Sequence, residues 1–316
     1  MRKLVAVGMF VAAGCGGAAA REASPPATEP PAARAAADEG EESDPNPPWL
    51  RELAPRRILY SVPGMDAAVP RKDIAYKQVD GAELTMDLWA PAGGGARRPV
   101  IVFIHGGPVP PKLAITPKDW GVFVSYGQLA AASGFAGVTF NHRLHSPGQF
   151  ADSQQDVMDL IAYLRDHAGE LGIDADRMCL WGFSGGGALL SAGMREGAPK
   201  VRCLVSYYGV LDRRPQRAEV PASITDQTLA DLSPVHHVTA GRRIPPMLIA
   251  RAGKDAPAIN QTVDAFIREA RTRKAPVQVI EHADGQHGFD ILDDVPRTGE
   301  VIAETMRFVS AQLKAP

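Results

Sequence analysis

Residues 178–191 read MCLWGFSGGGALLS, a short apolar run followed by a glycine-rich turn and a segment compatible with a helix. This stretch contains Gly182-Phe183-Ser184-Gly185-Gly186, which has the pattern G-x-S-x-G. A serine nucleophile on a sharp strand-to-helix turn needs glycine neighbours, because they relieve crowding and leave the hydroxyl exposed. The context therefore predicts that Ser184 is a nucleophile at the end of a buried strand.

Short apolar runs recur along the chain and are typical of strands that are buried on both faces. They lie at 100–104, 135–140, 178–181, 203–207, 247–250 and 277–280. Amphipathic stretches with helical spacing lie between or after them, at 157–164, 263–270 and 302–313. This alternation predicts an α/β fold with a mostly parallel sheet covered on both faces. Residues 74–79 and 83–89 flank a turn and predict an antiparallel hairpin at the N-terminal edge.

The N-terminal part of the 316-residue chain differs in composition from the rest. Residues 1–15 are typical of an export signal, with a basic start and an apolar run too short to span a bilayer. Residues 16–48 are rich in Ala, Pro and acidic side chains, which predicts a solvated tether. The folded domain is expected over 49–316, with the polar segment 211–243 forming a small cap or lid.

A cysteine directly after small residues, as at Cys15, resembles a bacterial lipobox. The resemblance implies lipid attachment at Cys15, although Ala12 stands where that pattern prefers Leu. The alternative is a cleaved signal peptide with an incidental cysteine. We expect an extracytoplasmic protein, anchored at the periplasmic side of the outer membrane because Gly16 follows the cysteine, or else secreted or periplasmic.

The charge balance is nearly neutral, with 34 basic against 36 acidic side chains and a formal charge of -2. This balance predicts no nucleic-acid partner, and membrane contact only through the lipid anchor. Cys179 and Cys203 lie inside apolar runs, so buried free thiols are expected there. No group of histidine, cysteine or acidic residues has the spacing of metal ligands, and no cofactor is predicted.

A serine hydroxyl is a poor nucleophile at neutral pH, so a histidine must take its proton and a carboxylate must orient that histidine. Among the 8 histidines, His287 follows the last predicted strand and precedes the last predicted helix, which is where a fold of this kind delivers its base. His282 lies at the end of that strand. His236 and His237 lie in the predicted cap.

The predicted orienting acid is Asp255, which follows the strand at 247–250 and supplies the chain order Ser, Asp, His. Two competitors exist. Asp212 opens the predicted cap, and Asp290 lies three residues past His287, where it is more simply a cap for the following segment.

Backbone N–H groups are needed to stabilise the oxyanion of an acyl-transfer reaction. One is expected from Gly185, directly after the nucleophile, and one from the loop His105-Gly106-Gly107-Pro108. Proline has no N–H, so Gly107 is the first candidate in this loop and Gly106 the second. His105 is expected to brace the loop by hydrogen bonds.

Together with Ser184 and Asp255, several short motifs resemble bacterial α/β-hydrolases of the esterase/lipase and dienelactone-hydrolase-like group. They are LTMDLW at 84–89, His105-Gly106-Gly107, Asn141-His142-Arg143-Leu144 and His287-Gly288-Phe289. The resemblance covers residues 70–315 and implies the α/β-hydrolase fold and ester hydrolysis. Three departures are present: Pro108 replaces a third glycine, Asn141-His142-Arg143 replaces Asp-Tyr-Arg, and Ser184 stands where dienelactone hydrolases have cysteine.

The favoured hypothesis is a serine carboxylesterase that cleaves small-molecule esters with short acyl groups through an acyl-enzyme. A peptidase of prolyl-oligopeptidase type shares the order of the three residues, but such enzymes usually carry a large additional domain. A non-catalytic binding protein on the same scaffold is the third hypothesis. It has no physical need of a complete set of catalytic residue types.

Overall fold

The computed structural model describes residues 47–91 and 96–314. The predicted signal peptide, Cys15 and residues 16–46 of the predicted tether lie outside the described residues. Within the described ranges, no helix has the length and apolarity that crossing a membrane requires.

The described residues form an eight-stranded mixed sheet with the order β1-β2-β4-β3-β5-β6-β7-β8. Its strands are β1 (Pro70–Val79), β2 (Ala82–Trp89), β3 (Arg98–Ile104), β4 (Ala136–Phe140), β5 (Ile173–Phe183), β6 (Cys203–Tyr207), β7 (Met247–Ala252) and β8 (Val277–His282). The pairs β1–β2 and β2–β4 are antiparallel, and all other neighbours are parallel. The predicted parallel sheet with an antiparallel N-terminal edge is confirmed.

Helices cover both faces of this sheet. They are α1 (Pro48–Leu53), α2 (Gly121–Ala132), α3 (Phe150–Asp166), α4 (Ala168–Leu171), α5 (Gly186–Leu189), α6 (Asp226–Asp231), α7 (Pro234–Thr239), α8 (Pro257–Thr272), α9 (Phe289–Leu292) and α10 (Pro296–Lys314).

Alternate residues of β5 belong to two separate buried clusters, because successive side chains of a strand point to opposite faces. Met178 and Leu180 pack with α3 and α8, whereas Cys179 and Trp181 pack with α2 and α10. The three predicted amphipathic helices correspond to α3, α8 and α10.

Residues 211–243, predicted to form a cap, contain a 3-10 helix (Arg214–Glu219) followed by α6 and α7. The segment begins beside the nucleophile, since the Val210 N–H donates to the Ser184 carbonyl oxygen over 2.9 Å. Its first basic residue, Arg213, is buried, and the guanidinium carbon lies 3.9 Å from the centre of the Phe150 ring. This end of the segment is therefore packed against the body of the domain and is not an open polar loop.

The expectation of free thiols at Cys179 and Cys203 is wrong, because the two residues form a disulfide. They are register partners on the neighbouring parallel strands β5 and β6, and their Cα atoms lie 4.6 Å apart. That separation falls within the range that a disulfide spans. An apolar run identifies each cysteine as buried, but the register between the two strands determines that they face each other.

Candidate active site

Ser184 lies in the turn between β5 and α5, and its φ of 52° falls in the left-handed region that residues with a side chain rarely adopt. The flanking backbone approaches other segments closely. A Cβ on Gly185 would lie 2.4 Å from the Gly107 carbonyl oxygen, and one on Gly186 would lie 2.5 Å from that of Ile104. Only glycine fits at these two positions, so the glycines of the G-x-S-x-G pattern permit the turn.

The structure brings Ser184, His287 and Asp255 together in one chain of hydrogen bonds. The His287 Nε2 atom lies 2.9 Å from Ser184 Oγ, and its Nδ1 atom lies 2.8 Å from Asp255 Oδ2. The other Asp255 oxygen accepts the Ala256 N–H over 2.6 Å. The Asp255 side chain is 1% exposed and that of His287 is 30% exposed. An Nδ1–H bonded to Asp255 leaves Nε2 free to accept the serine proton, which is the arrangement that activates a hydroxyl nucleophile.

The competing histidines have other partners. His282 Nε2 lies 3.1 Å from Thr298 Oγ1, and His237 Nε2 lies 2.9 Å from the Asp231 carbonyl oxygen. The His236 ring contacts the His237 ring. Among the contacts of the described residues, none joins these three histidines to Ser184.

The competing acids also lie outside the hydrogen-bonded chain. Asp212 accepts two hydrogen bonds of 2.8 Å from the Arg214 guanidinium. Asp290 lies inside the first turn of α9, whose N-cap residue is Gly288, so the expectation that it caps the segment is wrong. Its fully buried carboxylate accepts hydrogen bonds from the hydroxyls of Tyr126 and Tyr208. Burial raises the pKa of Asp290 above its usual value, although both hydroxyl donors favour the carboxylate.

The loop after β3 lies directly against the nucleophile. A Cβ on Gly106 would lie 2.8 Å from the Cβ of Ser184 and 3.3 Å from its Oγ, and the Gly107 backbone lies against Gly185. Within the hydrogen bonds of the described residues, the amide nitrogens of Gly106, Gly107 and Gly185 are not donors. The loop therefore places unused N–H groups beside Ser184, as an oxyanion site requires.

The stacked side chains of His105 and His142 support the loop after β3. The rings of His105 and His142 lie 3.6 Å apart and are nearly parallel. His105 Nδ1 contacts the Gly106 carbonyl oxygen, and His142 Nε2 lies 3.1 Å from the His105 carbonyl oxygen. Burial lowers the pKa of His142 to about 3 and holds that of His105 well below its usual value, so both rings are neutral. His105 has the bracing contact expected for it.

Sequence reasoning missed the part played by His142, and also Tyr208, whose ring centre lies 4.7 Å from that of His287. The position of His142 in Asn141-His142-Arg143, where the resembling family has tyrosine, was the available signal. Tyr208 directly follows β6, at the edge of the sheet where the other site residues lie.

Within the described residues, no group of three or more His, Cys, Asp or Glu side chains is arranged to hold a metal ion.

Comparison with known proteins gives matches in families, curated proteins and solved structures. The BD-FAE family model matches residues 86–266. The chain is 28% identical over 266 residues to "Probable carboxylic ester hydrolase LipM" of Mycobacterium tuberculosis (strain ATCC 25618 / H37Rv), covering 73% of this chain and 59% of that protein. It is 26% identical over 286 residues to "Esterase LipC" of the same organism, covering 80% and 65%. The chain thus spans less than two thirds of the length of these curated relatives.

The matching solved structures include an esterase of the Planctomycetes species Thermogutta terrifontis. Its native form is 21% identical with a TM-score of 0.62, and the match covers 79% of this chain and 94% of that chain. Its butyrate-bound form is 22% identical with a TM-score of 0.61, covering 80% and 98%. At this identity the likeness shows the fold alone, and the α/β-hydrolase fold expected from the sequence is confirmed.

Proposed function

Since the chain belongs to the BD-FAE family and has the α/β-hydrolase fold, we propose that it is a carboxylesterase that works through an acyl-enzyme on Ser184. The observation that carries this proposal is the continuous hydrogen-bonded chain from Ser184 Oγ through His287 to Asp255, at 2.9 and 2.8 Å. The curated relatives named as ester hydrolases support the same reaction class.

The proposed reaction begins when Ser184 Oγ attacks the ester carbonyl carbon while His287 Nε2 takes the hydroxyl proton. The N–H groups of Gly185 and of Gly107 or Gly106 stabilise the oxyanion of the tetrahedral intermediate. His287 then gives its proton to the departing alcohol, and the acyl group stays on Ser184. Water attacks the acyl-enzyme by the same route, with His287 as the base, and releases the acid. Asp255 holds the imidazole and stabilises its charged form throughout.

We propose esters with short acyl groups as the substrate class. The segment 211–243 begins at the nucleophile, and its apolar side chains Leu229, Val235 and Val238 are buried in the domain, so they are not a surface for a long acyl chain. Solved forms of the Thermogutta terrifontis esterase are bound to propionate and to butyrate, which supports a small acyl site. Each methylene outside such a site would gain little of the ~0.8 kcal/mol that full burial provides.

A fluorophosphonate probe tests the mechanism. The full chain should take up one label on the peptide containing Ser184, and Ser184→Ala should lose both the label and roughly 10³-fold or more of esterase activity. Ser206→Ala is the matched control, because the buried Ser206 Oγ has no hydrogen-bond partner among the described residues. It should keep the label and the activity. Labelling at another residue would refute the assignment of Ser184.

A series of p-nitrophenyl esters, with acetylated sugars and an aminoacyl-prolyl amide, tests the substrate class. We expect the highest kcat/KM for acyl chains of roughly two to six carbons. A maximum at long acyl chains would contradict the proposed small acyl site. Faster turnover of the amide would favour the peptidase hypothesis.

We also propose that the enzyme works outside the cytoplasm, attached to the membrane by a lipid on Cys15. The Cys179–Cys203 disulfide supports this proposal, because disulfides persist in oxidising compartments. Wild-type protein should partition into the detergent phase and incorporate labelled fatty acid, whereas Cys15→Ser should do neither. Unmodified mature protein free in the periplasm would contradict the anchor.

A further inference from the structure

A buried carboxylate and two tyrosines lie behind the proposed base. Each oxygen of Asp290 accepts one hydroxyl: Tyr208 donates to Oδ1 over 2.7 Å, and Tyr126 donates to Oδ2 over 2.9 Å. The Leu59 N–H also fixes this residue by donating to its carbonyl oxygen over 2.8 Å. These contacts join α2, the end of β6 and α9 at one point in the core.

The hydrogen bonds indicate that Asp290 is ionised. A carboxylate accepts both hydroxyl protons, one on each oxygen. A protonated carboxyl would bring a third proton to the same two contacts, and one buried hydroxyl would then have no acceptor, which is costly in the core. Asp290 is absent from the ion pairs of the described residues, and the hydroxyls of Tyr208 and Tyr126 are the side-chain donors that stabilise its carboxylate.

Tyr208 connects this carboxylate to His287. Its ring centre lies 4.7 Å from that of the imidazole, with an angle of 58° between the planes. Its φ of 38° is a strained value for a residue with a side chain, and its N–H donates to the Ala250 carbonyl oxygen over 3.1 Å. A strained backbone, a fixed hydroxyl and a packed ring together hold the phenol in one position against the base.

We infer that Asp290 is a second acid acting on His287: it fixes the Tyr208 ring against the imidazole, and its buried charge favours the imidazolium formed when Ser184 loses its proton. The inference rests on the proposed function, in which His287 is the base. Asp255 acts on Nδ1 by a direct hydrogen bond, whereas Asp290 acts through packing and through its electric field. Asp290 and Tyr208 are therefore positioning residues.

Three further titratable side chains interact with the Asp290 carboxylate. They are the phenols of Tyr126, Tyr207 and Tyr208, and burial raises the pKa of each well above its usual value. All three stay neutral at the pH of an esterase assay. These phenols therefore add no negative charge to that of Asp290.

The test uses Asp290→Asn and Tyr208→Phe in the full chain, with kcat, KM, the pH profile of kcat/KM and Tm measured for each. For Asp290→Asn we expect kcat to fall at least tenfold with KM nearly unchanged, and the midpoint of the acid limb to move to lower pH by roughly one unit. Tyr208→Phe keeps the ring and removes the hydroxyl, so kcat should fall about three- to tenfold with the same direction of shift.

Tyr207→Phe is the matched control. Tyr207 is the adjacent residue, it is also buried, and its hydroxyl lies 2.8 Å from Thr305 Oγ1 and does not bind Asp290. It should lower Tm and leave the acid limb in place, as a purely structural change would. If Asp290→Asn does not fold, Tyr208→Phe decides the question.

Two outcomes would overturn the inference: an acid limb unmoved in Asp290→Asn and Tyr208→Phe with kcat within twofold of wild type, or the same shift in Tyr207→Phe. Fluorophosphonate labelling separates this failure from failure of the proposed function. If the wild type is labelled at Ser184 while the variants behave as wild type, only the inference fails. If the wild type is not labelled there, the proposed function fails.

Discussion

Reduction of the Cys179–Cys203 disulfide should lower the thermal stability of the domain. The link joins the neighbouring central strands β5 and β6 and closes a loop with a sequence separation of 24. By constraining a loop of this length in the unfolded chain, the disulfide raises the free energy of unfolding by about 3.5 kcal/mol at 25 °C. For a domain of this size the loss corresponds to a decrease in Tm of roughly 7–10 °C.

Reduction breaks the disulfide without changing either side chain, so its effect on stability can be measured in the wild-type sequence. Both cysteines are fully buried, so reductant must reach them in the unfolded protein. The chain is unfolded in guanidinium with reductant, refolded with reductant, and compared by calorimetry with protein refolded without it. The double variant with Cys179→Ala and Cys203→Ala is the control, and its Tm should not depend on reductant.

Alkylation of unfolded protein before reduction, followed by peptide mapping, reports the state of each thiol. We expect no alkylation on the peptides that contain Cys179 and Cys203. Alkylation of both, with a Tm that is the same with and without reductant, would refute the disulfide and restore the free thiols expected from the sequence.

Three further changes test the network around the site and the sheet edge. Lys118→Met should lower the free energy of unfolding in a denaturant titration by roughly 3 kcal/mol, because it leaves the buried Asp87 carboxylate without its 3.0 Å partner. Burial lowers the pKa of Lys118, but the hydrogen bonds that its ammonium donates to Asp73, Asp87 and Asp119 outweigh this effect and raise the pKa above 10.5. The contribution of Lys118 to stability is therefore complete below that pH and lost as pH rises further, so alkaline unfolding curves should decline less steeply for the variant. His142→Phe should lower kcat and leave the acid limb of kcat/KM in place, because a ring with a pKa of about 3 does not titrate in the assay range; a shifted limb would contradict its neutral state. Gly185→Ala should lower kcat by about 10²-fold or more, because its Cβ would lie 2.4 Å from the Gly107 carbonyl oxygen and displace the oxyanion loop; wild-type kcat would contradict the close approach.

Short apolar runs predict the parallel strands because a strand covered on both faces has no polar side to interrupt the run. The same reasoning fails for α2, which has no amphipathic period. Its residues are buried on nearly all sides, and Gly127 lies so close to Trp89 that a Cβ would be 2.4 Å from the indole ring. A helix buried all round cannot be separated by periodicity from a buried strand or loop.

The positions of Ser184, Asp255 and His287 are predictable for a geometric reason. Each follows a parallel strand, and the carboxyl ends of parallel strands meet at one edge of a sheet. Residues far apart in sequence are brought to that edge by the strand order alone. Nothing comparable identifies His142 as the ring beneath His105, because stacking of two buried side chains leaves no local pattern.

The same distinction explains Asp290. Its place three residues after His287 fits a triad acid, a helix cap or a buried acceptor equally well, and local sequence cannot choose among these. The hydrogen bonds that identify Asp290 as a buried acceptor come from Tyr208, which lies 82 residues away along the chain, and from Tyr126, which lies 164 residues away. Both hydroxyls reach the carboxylate because α2 and β6 pack beside α9 on one face of the sheet. An acid that acts on the base through such contacts can be found only once the packing of these three elements is known, and the pH profile of Asp290→Asn is the measurement that separates it from a structural carboxylate.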